Sequence, residues 1–128
     1  MEKIAISSEG PSLEDRVDPR FGRAAGFVIV DPATMDFEYN DNGAGQVRAQ
    51  GAGIQAAETV ARAGVTVLLT GYVGPKAFQA LAAAGIRVAQ NMKNISVREA
   101  LERFNKGGMS WAQASQAKGR GKGRGRRR

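Results

Sequence analysis

The chain has 128 residues, 42% of them hydrophobic, and contains neither cysteine nor histidine. Its length and composition fit one domain with a sizeable core. The missing residue types exclude disulfides, zinc sites, thiolate-held iron–sulfur clusters, Ser-His-Asp catalysis and cysteine nucleophiles.

The formal charge of +7 is unevenly placed: residues 1–117 carry 12 Lys+Arg against 12 Asp+Glu, and the last 11 residues hold seven cations and four glycines. That final stretch, KGRGKGRGRRR, lacks apolar residues and repels itself, so it is expected to be disordered. The expected organisation is a domain over residues 1–107, followed by a linker and basic tail over residues 108–128. No apolar run approaches the roughly 20 residues of a membrane span. MEKIAISSEG has no secretory apolar region, so a cytoplasmic protein without a membrane partner is expected.

KIAIS (residues 3–7) reads as a buried first strand, followed by a long polar loop to RFGR. AGFVIVD predicts a second strand, with Phe27, Val28, Ile29 and Val30 apolar on both faces. After a Pro32 turn, MDFEYND alternates, with Met35, Phe37 and Tyr39 on one side, and reads as a half-exposed third strand. NGAGQVRAQGAG is a glycine-rich crossover into a helix, IQAAETVARAG, with Ile54, Ala57, Val60 and Ala61 on its buried face. VTVLLT is a short continuous apolar run, as a central parallel strand should be. Pro75 opens the helix PKAFQALAAAG, and IRVAQ reads as the fifth strand. SVREALERFNKG is a helix with a Ser96–Glu99 capping box and a stripe of Val97, Ala100, Leu101 and Phe104. Beyond it, MSWAQASQA is either a helical turn docking Trp111 or a linker.

This order, with right-handed crossovers, predicts an α/β fold. It is a ribonuclease H-like, five-stranded mixed sheet of order 3-2-1-4-5, strand 2 antiparallel, flanked by helices. The topology collects RFGR, the G-A-G crossover and GYVGPK at the carboxyl edge of the parallel strands. Open α/β sheets bind ligands at such edges, and two helices begin there, which favours an anion. Gly51, Gly53, Gly71 and Gly74 let the backbone approach closely, and Arg20, Arg23 and Lys76 add charge.

Plainer readings stand beside this one. Arg20 and Arg23 pair with Glu9, Asp15 or Asp18 merely to fix the loop, or they face an anion. Gly71 and Gly74 permit a tight turn, or they cradle a ligand. Tyr72 covers the crevice or touches what lies in it. Met92 and Met109 read as gap-fillers rather than metal ligands. GAGIQA is no dinucleotide fingerprint, because it does not directly follow a strand and no acidic residue lies about 20 positions on. GYVGPKAF lacks Walker A spacing, and the central strands carry none of the carboxylates that a metal-dependent nuclease requires.

RVDPRFGRAAGFVIVD, GAGIQAAETVARAGVTVLLTGYVGPKAFQALAAAGIRV and SVREALERF together resemble the dinitrogenase iron–molybdenum cofactor biosynthesis family, over about residues 3–106. The resemblance implies a ribonuclease H-like fold without nuclease activity, and a protein that is not an enzyme. It also implies noncovalent binding of an anionic metal–sulfur cluster, either a molybdenum–copper sulfide or an iron–molybdenum cofactor precursor. The residues placed by the family motifs are Arg20, Phe21, Gly22, Arg23, Gly51, Gly53, Gly71, Tyr72, Gly74 and Lys76, with no metal-ligating side chain. Many members carry histidine directly before G-A-G, where this chain has Gln50. That departure favours the molybdenum–copper branch over a nitrogenase cofactor carrier. The tail lies outside these motifs, and its seven cations alternatively suit nucleic acid or another polyanion, without an aromatic residue to stack bases. A partner protein with an acidic face is a further alternative for the basic tail.

Overall fold

The computed structural model describes residues 2–46, 51–107 and 109–112. Gln50, most of the expected linker and the basic tail lie outside the described residues. Five strands, β1 (Ile4–Ser8), β2 (Gly26–Val30), β3 (Phe37–Asp41), β4 (Val67–Leu69) and β5 (Arg87–Ala89), form one sheet in the order β3-β2-β1-β4-β5. β2 is antiparallel to both β1 and β3, whereas β1, β4 and β5 are parallel. This is the expected ribonuclease H-like sheet. Among the described residues, four helices join it: α1 (Gly43–Gln46), α2 (Ala52–Arg62), α3 (Pro75–Ala83) and α4 (Val97–Lys106). The single turn of α1 falls where the sequence suggested only crossover.

Alternation along the strands builds two cores. Ala5, Phe27, Ile29, Leu68 and Val88 face α2 and α3. Ile4, Ile6, Val28, Val30, Val67 and Leu69 face Val97, Ala100 and Leu101 of α4. With both faces covered, the central strands carry no polar alternation, as parallel sheets require. Met92 is buried in the α4-side core, and Met109 packs against it, as gap-fillers.

Three expectations need correcting. Ile54 is 41% exposed, because α2 buries the small-residue stripe Ala52, Ala56, Ala57 and Val60 instead. Met35 lies in the turn before β3 with φ 65°, not in the strand, although it packs with Tyr39 against the α4-side core, and Phe37 is 43% exposed. Residues 109–112 form no helix, yet Trp111 does dock. It meets Phe104 edge-on at 6.5 Å and lies 4.2 Å under the Arg87 guanidinium, while the Ala112 N–H donates to the Val88 carbonyl at 2.7 Å.

Candidate functional site

At the carboxyl edge, the loop after β1 crosses over the start of the β4–α3 turn. The Phe21 N–H donates to the Tyr72 carbonyl at 3.2 Å, and Gly71 lies directly against the Pro19 backbone. Gly22 then abuts the first turn of α2; a Cβ at that position would come within 2.7 Å of the Gly53 nitrogen. Only glycine allows this approach. Gly51 precedes α2 with φ 77°, a conformation that disfavours side chains.

These crossings border an open cavity of about 660 Å³ lined by Arg20, Phe21, Gly22, Arg23, Gly51, Gly53, Tyr72, Gly74 and Lys76. Of the residues picked out from the motifs, Gly71 alone does not line it. Phe21 contributes its edge of the wall while its ring is 2% exposed and packs 5.4 Å from Phe27, so it also belongs to the core. Sequence reasoning missed Ile54, which it assigned to the core, and the wall residues Pro19, Ala52, Pro75 and Ala77. The position of Ile54 immediately after G-A-G was the available signal. Ile54 and Tyr72, the latter 60% exposed, are two of the three exposed large apolar side chains among the described residues.

Two helices open on this cavity. The first intrahelical donors are the Gln55 N–H, to the Gly51 carbonyl at 3.0 Å, and the Phe78 N–H, to the Gly74 carbonyl at 2.9 Å. Ala52, Gly53 and Ile54, and Lys76 and Ala77, precede them in the first turns and line the cavity, and their N–H groups have no intrahelical acceptor. Glycine caps both helices, so neither cap offers a side-chain acceptor.

Arg20 pairs with Asp18, Nε to Oδ1 at 3.2 Å, and its side chain remains 58% exposed at the cavity. Hydrogen bonding to Asp18, then its charge, raises the Arg20 pKa further above its ordinary value. Of the three carboxylates considered from sequence, Asp18 is the one bound by Arg20. Arg23 donates from Nη1 to the Gln46 carbonyl at 3.3 Å. The cavity lining contains no carboxylate among the described residues. Among the described residues, no group of three or more acidic side chains is placed to hold a metal ion.

Residues 2–107 match the dinitrogenase iron–molybdenum cofactor family. The chain belongs to this family. Among solved structures, the apo form of the orange protein from Desulfovibrio gigas is 60% identical to it, with a TM-score of 0.85 over 88% of this chain and 93% of that one. A putative NifB protein from Thermotoga, assigned to the DUF35 family, is 32% identical, with a TM-score of 0.75 over 87% and 93%. No curated protein matches. The family resemblance read from RFGRA and TGYVGPKA therefore holds, and identity to the orange protein is nearly twice that to the NifB-like protein. No helix among the described residues is long and apolar enough to cross a membrane.

Proposed function

We propose that this protein binds and carries an anionic, molybdenum-containing metal–sulfur cluster, a molybdenum–copper sulfide, in the cavity at the carboxyl edge. It does so as a carrier rather than as an enzyme. Family membership and the likeness to the orange protein support cluster binding or carriage. The observation that carries the finer reading is the meeting of two glycine-capped helix starts with Arg20, Arg23 and Lys76 on one wall.

The chemistry follows from the donor set. With no cysteine or histidine in the chain, and no methionine among the described residues that line the cavity, the site offers no soft ligand to displace sulfide from the metal. The cluster's own sulfur atoms instead accept hydrogen bonds from helix N–H groups and guanidinium donors. Helix dipoles and fixed cations add attraction to the negative charge. Ile54, Tyr72 and Phe21 provide apolar wall. Sulfide is polarisable and weakly hydrated, so it tolerates such contact better than an oxoanion, whose hydration must be replaced bond for bond. A volume of about 660 Å³ lies inside the range of about 300–1,000 Å³ typical of small-ligand sites.

Mixing purified apo-protein with tetrathiomolybdate and copper, then following visible absorption through gel filtration, tests this. A coloured species co-eluting with the protein is the expected result. Colour eluting only with free salt contradicts the proposal. Uptake of an iron–molybdenum cofactor precursor in preference to the molybdenum–copper sulfide would assign the cargo to the nitrogenase branch instead.

A further inference from the structure

The loop that brings Arg20 and Arg23 to the cavity is held by two side chains that do not line it. The Asp18 residue is 1% exposed. Its carboxylate accepts the Arg20 backbone N–H at 3.0 Å, Arg20 Nε at 3.2 Å, Arg20 Nη2 at 3.3 Å and the Ala25 N–H at 3.1 Å. Asp18 is itself tied to the end of β1. Its N–H donates to the Ser7 carbonyl at 2.8 Å, and its carbonyl accepts Ser7 Oγ at 2.7 Å. From the β3 side, Asn42 Nδ2 donates to the Gly22 carbonyl at 3.1 Å and the Ala24 carbonyl at 3.0 Å. The turn from Pro19 to Ala25 is therefore clasped at both ends and across its middle.

Pairing with Asp18 does not use up Arg20. A guanidinium carries five N–H donors in a planar fork. Asp18 occupies donors on Nε and Nη2, so Nη1 and the second Nη2 hydrogen remain for another acceptor. Bracing the loop and meeting an anion are thus compatible roles for one side chain.

We propose that Asp18 and Asn42 are positioning residues of the anion site, presetting the Arg20–Arg23 loop against the first turn of α2 before cargo arrives. This rests on the anion-carrier reading above. Presetting matters because ordering a loop on binding subtracts directly from affinity. The role of Asp18 can be separated from simple charge, since the two predict opposite signs. Its carboxylate adds a negative charge close to a site for an anion, so on charge alone Asp18→Asn strengthens binding. If Asp18 positions the loop, the same substitution weakens binding although the net charge becomes more positive.

The test uses the full-length chain with tetrathiomolybdate and copper as the probe, reading cluster dissociation and visible-region circular dichroism. An achiral cluster acquires that dichroism when held in one orientation, a signature that mere folding stability does not alter. Asp18→Asn is expected to hold cluster about tenfold more weakly, with reduced dichroism. Asn42→Ala is expected to change both in the same direction by less. Equal or tighter binding by Asp18→Asn with unchanged dichroism overturns the proposal. If Asp18→Asn does not fold, Asn42→Ala decides alone, and wild-type affinity and dichroism there overturn it. Failure of the wild-type chain to take up cluster overturns the carrier reading beneath it, which distinguishes the two.

Discussion

The helices on the two faces of the sheet begin differently. On one face, α4 is finished internally: Ser96 Oγ accepts the Glu99 N–H at 3.0 Å. Arg98 Nε meets Glu14 at 2.6 Å beside it. On the other face, α2 and α3 start from Gly51 and Gly74, neither with a side chain to accept a first-turn N–H. An unmet helix start is ordinarily satisfied by water or a side chain. Here two of them line the same cavity with three cations. The α4 start is capped by its own chain, whereas the α2 and α3 starts have no side-chain cap, and the proposal assigns their donors to an external acceptor.

The most damaging way to erase that difference is to cap α3. Gly74 has φ −70° and ψ 166°, which any residue adopts, and a Cβ there meets no atom within 4 Å. Gly74→Asp would satisfy the first-turn N–H groups and complement the dipole, adding about 0.3–1 kcal/mol to stability. The same carboxylate would face the anion, and cluster affinity should fall by about a hundredfold or more. A higher melting temperature with lost cluster, measured on one sample, is the expected pair of results. Next in size is Arg20→Ala, which strips the buried Asp18 of its side-chain partner. It should lower stability by about 1–2 kcal/mol in chemical denaturation, and also speed cluster loss. The smallest effect belongs to the capped side. Ser96→Ala should cost about 1 kcal/mol and leave cluster retention unchanged, so loss of cluster in that variant would blur the contrast.

Much of this geometry is legible in the sequence because topology converts chain direction into place. An antiparallel β2 had to return RFGR to the edge where α2 and α3 begin, and nine of the ten motif residues meet there. Gly71 escaped because its closeness to Pro19 depends on how two loops cross, which no local pattern encodes. Ile54 misled because it is the largest apolar residue early in α2. The close approach of Gly53 to Ala77, with a Cβ–Cβ distance of 3.0 Å if Gly53 had a side chain, instead demands small residues between α2 and α3. Asn42 gave no signal at all: Asn-Gly after a strand reads as a turn, and its bonds to Gly22 and Ala24 span about 20 residues of sequence.

The central claim, that the helix starts left open by glycine are the ones that hold the anion, is tested most directly by amide nitrogen–proton NMR during titration with the thiomolybdate–copper probe. The account predicts that the N–H signals of Gly53, Ile54, Lys76 and Ala77 shift together and saturate with cluster uptake, while those of Val97, Arg98 and Glu99 stay in place. Shifts centred on α4, or confined to residues 118–128 with the cavity signals unmoved, would contradict it.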